Sequence, residues 1–394
     1  MNRRELLLSA AAFTSVVRAG RLYAAPVQRR LLIVFMRGAY DAANVVLPAA
    51  NEFYYRARPN IAVPRPGTGD NAALLLDEDW AIHPALKDSI LPLYAKKQAA
   101  FVPFAGTDDT SRSHFETQDS IELGQDINGS RDFRSGFMSR LASVLQDRVW
   151  PISFTSQLPL IFRGPAVIPN MSLNTGAKPG IDSRQAALIA SMYSQTDLAP
   201  AVSEGFQVED EVYKSIAVEM QQASRGATSA KGFELEARRI ARLMREKYNL
   251  GFVDVGGWDT HVNQGGASGY LANRLSELGK GLAGFADEMG PDWKNTVVVA
   301  ISEFGRTFRE NGNRGTDHGH GSVYWVLGGN IRGGRLAGDQ VRVVEETLFQ
   351  NRDFAVLNEY RAVLGGLFAQ LYGLEGDSLD KVFPGAKPKD IGIV

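Results

Sequence analysis

Cysteine is absent from the 394 residues, which excludes a disulfide framework and thiolate metal ligands. Histidine is scarce, with five residues: His83, His114, His261, His318 and His320. A metal in this chain must therefore be held by imidazole, carboxylate, hydroxyl or backbone oxygen. Basic runs and aromatic–basic interleaving are also missing. The formal net charge is −1, and it becomes −4 once residues 1–25, with four arginines and Glu5, are set aside. Nucleic acid is thus not an expected partner.

What remains is ordinary for a globular protein: 44% hydrophobic and 22% charged residues. The length suits one large α/β domain with an inserted cap, or two domains. At the start, Arg3-Arg4 precede the apolar stretch Leu6 to Val17, and Ala24 and Ala25 stand just before Pro26. This is the layout of a signal peptide. The apolar stretch is shorter than the ~20 residues of a spanning helix, and no transmembrane segment is expected in the mature chain. The arginine pair resembles a twin-arginine signal. Residues 1–25 are accordingly expected to direct export, giving a periplasmic or extracellular protein of residues 26–394.

Along the chain, Leu31 to Met36 is a continuous apolar run, the pattern of a strand buried on both faces. Residues 84–97 read as a helix bent at Pro92. Phe101 to Phe104 reads as a short strand, and a helix begins near His114. Residues 150–162 look like one or two short strands. Segment 165–250 mixes Gly- and Ser-containing loops with helical spacing, as in Phe233, Ala237, Ile240 and Met244, and is expected to be a mostly helical insertion or cap. Strands are expected at Gly251–Val255, Thr296–Ile301 and Val323–Leu327. Helices are expected at about 271–289 and 357–371. Alternating strands and helices predict an α/β fold, a doubly wound and mainly parallel sheet flanked by helices.

Chemistry is expected where polar motifs follow strands, as the histidine motifs at 256–261 and 315–321 are both read to do. In Gly256-Gly257-Trp258-Asp259-Thr260-His261, the side chains of Asp259 and His261 fall on one side of an extended segment and can meet one ion. Gly315-Thr316-Asp317-His318-Gly319-His320-Gly321 offers three further ligands, Asp317, His318 and His320, between glycines. Imidazole with carboxylate suits zinc, manganese or iron. Ser302-Glu303-Phe304-Gly305-Arg306-Thr307 follows the clearest central strand. Glu303 can be a ligand or base there, and Arg306 can hold an anion. In Thr110-Ser111-Arg112-Ser113-His114-Phe115-Glu116, Ser113 with Glu116 fits a capping box. A hydroxyl at such a helix start can serve as nucleophile, and Arg112 can bind oxyanions. In Met36-Arg37-Gly38-Ala39-Tyr40-Asp41, Arg37 can bind an anion, and Asp41 is either a ligand or a helix cap. His83 reads as structural, and Gly328 to Gly334 as a turn.

Taken in order, these motifs resemble an exported family called domain of unknown function 1501, placed in the alkaline-phosphatase/sulfatase superfamily. The likeness spans nearly all of the chain after the leader. It implies a metal-dependent hydrolase or transferase acting on phosphate or sulfate esters of small molecules or polymers, with a divalent metal, zinc or manganese. Carried over by residue, it implies Asp259, His261 and one or both of His318 and His320 as ligands of one metal, Glu303 at a second, and Ser113 or Ser111 as nucleophile. Arg37, Arg112 and Arg306 would face the developing charge. The sequence departs from the superfamily pattern at Arg37 and at Glu303-Phe304, which implies a second metal site that is altered or lost unless Asp41 or Asp317 replaces it. These departures keep open a non-catalytic exported protein on a degenerate fold, binding a glycan, a surface polymer or a protein.

Overall fold

A computed structural model describes residues 29–173, 183–200, 202 and 232–394. The leader, residues 1–25, lies outside the described residues, as do 174–182, 201 and 203–231 of the segment read as an insertion.

Strand β1 (Arg30–Met36) opens the main sheet. Next comes a small antiparallel sheet of β2 (Val46–Leu47), β3 (Leu74–Leu75) and β4 (Ala81–Ile82). The main sheet continues with β5 (Ala99–Gly106), β6 (Pro151–Ser153), β7 (Leu250–Val255), β8 (Thr296–Ile301), β9 (Ser322–Gly328), β10 (Arg335–Leu336) and β11 (Asn358–Glu359). Its order is β10-β5-β9-β8-β1-β7-β6, with β11 also paired to β5. Strand β9 runs antiparallel to both of its neighbours, β8 and β5, while the remaining pairings are parallel. The fold is therefore α/β with a mixed, mainly parallel sheet.

Helices cover both faces. They are α1 (Glu52–Ala57), α2 (Ile90–Ala95), α3 (His114–Leu123), α4 (Phe137–Leu145), α5 (Ser183–Tyr193), α6 (Phe233–Glu246), α7 (Tyr270–Met289), α8 (Tyr360–Tyr372) and α9 (Asp377–Val382). The apolar run of β1 divides between two cores. Leu32, Val34 and Met36 join one with residues of α6 and α7, whereas Leu31, Ile33 and Phe35 join the other with residues of α4 and α8. This two-sided burial explains why β1 reads as unbroken apolar sequence. Helix α6 turns Phe233, Ala237, Ile240, Ala241 and Met244 inward at helical spacing.

Local expectations were modified in three places. Pro92 lies in the first turn of α2 and does not bend a longer helix; residues 84–86 form a separate 3-10 turn. Backbone N–H groups of a first turn lack intrahelical acceptors, so proline costs nothing there. Of the two short strands possible in 150–162, one is β6, while Leu160–Phe162 is a 3-10 turn. Finally, Ser113 occupies the N-cap of α3 but makes no side-chain cap hydrogen bond, so the capping box is not formed.

Candidate metal centre

The parallel strands β1, β5, β7 and β8 all end at one edge of the sheet. Because β9 is reversed, its beginning reaches that same edge. The segment 315–320 thus joins the site by preceding a strand, where the sequence reading had it following one. The two distant histidine loops touch directly. The Thr316 N–H donates to the Thr260 carbonyl at 3.0 Å. A Cβ on Gly315 would stand 2.3 Å from the His261 carbonyl oxygen, so only glycine permits this approach. Gly38, at the end of β1 with φ +114°, is held as closely: a Cβ there would lie 2.9 Å from the Asp259 nitrogen. Trp258 anchors the β7 loop from below, its Nε1 donating to the Val255 carbonyl at 2.7 Å.

Three imidazoles converge on Asp259. His261 Nε2 lies 2.9 Å and His318 Nε2 3.3 Å from Asp259 Oδ1, and His114 Nε2 lies 3.6 Å from Oδ2. His261 Nε2 and His318 Nε2 are 3.1 Å apart. Around one ion with bonds of about 2.0–2.2 Å, neighbouring donors stand about 3 Å from each other. Donor atoms of His114, Asp259 and His318 lie within 4.8 Å of one another, and the carboxylate is open to solvent on one side.

The opposite nitrogen of each ring meets an acceptor outside the centre. His114 Nδ1 meets Glu303 Oε1 at 2.8 Å, His318 Nδ1 meets the Arg112 carbonyl at 2.9 Å, and His261 Nδ1 meets Asp317 Oδ1 at 3.3 Å. A carbonyl or carboxylate only accepts, so each Nδ1 faces an acceptor outside the centre and each Nε2 is the nitrogen turned toward it. Protein metal sites orient histidine ligands in this way. Moreover, His114 Nε2 is buried without a hydrogen-bond partner. The donor set therefore fits a divalent metal.

The surroundings are built to hold these rings. Arg112 adopts φ 53°, a left-handed backbone that costs a non-glycine residue roughly 1 kcal/mol or more. From there its carbonyl reaches His318. Glu303 is fully buried and accepts from Gly38 N, His114 Nδ1 and Gln118 Nε2, each at 2.8 Å, and from Ser302 Oγ at 2.9 Å. Burial pushes its carboxyl up, but these donors hold it below the usual range. The same hydrogen bond raises the His114 imidazole. Burial lowers that of His318, helped by the nearby His114. Burial also works against ionisation of Asp259, yet the Arg306 guanidinium keeps its carboxyl low.

A sequence profile described as "Protein of unknown function (DUF1501)" matches residues 28–383. The chain belongs to this family. No curated protein matches it in sequence. Among solved structures, the DUF1501 chain is similar to Ps i-CgsB in complex with k-i-k-neocarrahexaose. The identity is 10% and the TM-score 0.42, with 91% of this chain and 75% of that chain covered. The structure of Ps i-CgsB alone gives 10% identity and a TM-score of 0.40 over the same shares. A protein in the alkaline phosphatase superfamily from Vibrio parahaemolyticus gives 11% identity and a TM-score of 0.38, with 87% of this chain and 66% of that one covered. At these values the likeness is remote, and the site is read from its own residues.

Of the ligands expected for this DUF1501 chain, Asp259, His261 and His318 converge. Glu303 and Asp317 stand one step behind, as acceptors for ring N–H groups. His320 is a correction. It is buried with its ring 4.6 Å from that of Phe349, and its imidazole is lowered by burial. Asp41 is also displaced from the metal role. It forms a sealed ion pair with Arg58 at 2.6 Å and accepts from Gln264 Nε2, without capping a helix. Arg37 is engaged by Glu122 and Asp254, Arg112 by Asp353, and Arg306 by Asp259. Ser111 Oγ pairs with Thr117 Oγ1 at 3.2 Å. His83 is structural, its Nε2 on the Gly266 carbonyl and its Nδ1 accepting from Ala85 N. The residue the sequence reading missed is His114. The signal for it is its place at the first position of a helix that follows a strand.

Among the described residues, no helix is long and apolar enough to cross a membrane.

Proposed function

We propose that the protein is an exported metal-dependent hydrolase of phosphate or sulfate esters. The observation that carries the metal part is the set of three imidazoles whose Nδ1 atoms meet outer acceptors while their Nε2 atoms face Asp259. A divalent ion bound there would lower the pKa of a hydroxyl or water and polarise an ester oxygen. His114, His261, His318 and Asp259 would hold it. Glu303, Asp317 and the Arg112 carbonyl fix the rings. Ser113 directly precedes His114 and its hydroxyl makes no capping bond, so it is the better placed of the two serine nucleophiles. The ester class follows from the motif resemblance, and export from the twin-arginine layout of residues 1–25.

The test is metal analysis of the purified protein, followed by aryl phosphate and aryl sulfate substrates. Turnover is expected to disappear on chelation, to return with zinc or manganese, and to be abolished in Ser113→Ala. A tightly held metal with no turnover on either class would overturn the hydrolase. That result would favour the second reading, an exported protein that binds a glycan, polymer or partner. One observation already speaks for this second reading: Arg37, Arg112 and Arg306 are each engaged by an internal carboxylate. For the leader, replacing Arg3 and Arg4 by lysine is expected to leave the protein in the cytoplasmic fraction.

A further inference from the structure

The metal reading leaves open how many ions the site accepts, and the surroundings of Arg306 answer that. Its guanidinium is wholly buried and is surrounded by oxygen. Nη1 donates to Asp259 Oδ1, Nη2 to the Thr316 carbonyl, and Nε to Thr316 Oγ1 at 3.2 Å. Carboxylate, carbonyl and hydroxyl oxygens together are what a hard divalent cation seeks. Here a side chain that is always charged occupies that place. Asp259 is thereby shared between two cation positions. One is formed by the Nε2 atoms and the other is filled by Arg306.

We infer that the site takes one divalent ion per chain, because the Arg306 guanidinium stands permanently where a second ion would bind on Asp259. This rests on the metal reading given above. Donor accounting removes two other carboxylates: Glu303 has four donors, and Asp41 is bound by Arg58 and Gln264. A second divalent ion on Asp259 would also stand beside the buried Arg306 guanidinium, whose fixed positive charge repels it.

The experiment is native mass spectrometry of the metal-stripped protein loaded with excess zinc(II) or manganese(II), with electron paramagnetic resonance of the manganese form. The expected result is one ion per chain and an uncoupled manganese spectrum. Two ions with an exchange-coupled spectrum would overturn the inference and leave the metal reading intact. No ion at all would overturn both. One ion with no ester turnover would remove the hydrolase and support this inference. Arg306→Lys is expected to keep one ion. Arg306→Ala is expected to open the oxygen pocket to a second, weaker binding event, and a single event in a folded Arg306→Ala protein would overturn the role given to Arg306. If that variant does not fold, the wild-type count and spectrum decide.

Discussion

Two aspartate–arginine pairs lie near each other at the same edge of the sheet, and they do opposite work. Asp41 and Arg58 are sealed, with side-chain exposures of 1% and 0%. The pair is further hydrogen-bonded to Asn44, Gln264 and the carbonyls of Thr307 and Phe308. Asp259 also pairs with a wholly buried arginine, yet it is itself 44% exposed and faces three imidazole nitrogens. The same two residue types thus make a structural strut in one place and half of a candidate metal site in the other. What separates them is access to solvent and the three imidazole nitrogens that face Asp259. The pairs are also linked. Gln264 donates to Asp41, and its Oε1 accepts from Thr260 Oγ1 and Thr316 Oγ1, residues of the two ligand loops.

The comparison is broken most forcefully at the sealed pair. Arg58→Ala leaves Asp41 charged and unpaired in the interior, which typically costs about 3–5 kcal/mol. Denaturant unfolding is expected to show a loss of that size, with metal binding retained in the fraction that folds. At the open pair, Asp259→Asn, which keeps an acceptor for the buried Arg306, is expected to cost less stability than Arg58→Ala and to weaken metal affinity by roughly a hundredfold to a thousandfold, one ligand's share of a four-ligand site. Isothermal titration with zinc would read this. Equal stability losses in both variants would mean that the two aspartates play the same structural part.

A smaller effect is expected one step behind the ligands. Glu303→Gln keeps the size of the side chain but removes the charge that orients His114 through Nδ1. Loss of such an outer partner usually costs about tenfold to a hundredfold in metal affinity. The fall should appear in titration with zinc while the far-ultraviolet circular dichroism spectrum stays unchanged. An unaltered affinity would remove Glu303 from the site and leave it a buried hydrogen-bond acceptor like Asp41.

Much of the fold could be read from the sequence because its central strands are buried on both faces. Thr296–Ile301 and Leu31–Met36 are unbroken apolar runs for that reason. The loop Gly256–His261 was legible as well, since Asp259 and His261 obey the alternation of an extended chain. Other features depend on partners far away in sequence. The reversal of β9, which carries 315–320 to the site edge, is set by pairing with β5 and β8. That Asp41 meets Arg58, and that Glu303 is a buried acceptor, follows from contacts no local pattern contains. His114 was hidden by its neighbours: a serine–arginine–serine cluster invites attention to hydroxyls, whereas the helix start aims the imidazole at the centre.

The same alternation rule fails two residues beyond His318, and the smallest predicted effect concerns that failure. Gly319 N donates to the Gly305 carbonyl while Gly305 N donates to the His320 carbonyl, at 2.9 and 2.8 Å. Two residues thus oppose one, the arrangement of a β-bulge, which resets the side on which the next side chain falls. His318 pairs across from Arg306 and reaches Asp259, while His320 goes into the interior against Phe349. His320→Gln is therefore expected to change zinc affinity less than twofold, within what a substitution away from the site produces, and to cost about 1–2 kcal/mol of stability through lost packing. His318→Gln is expected to do the reverse. Should the His320 variant lose metal as His318→Gln does, the bulge does not divert that ring, and the ligand set would have to include both histidines of the loop.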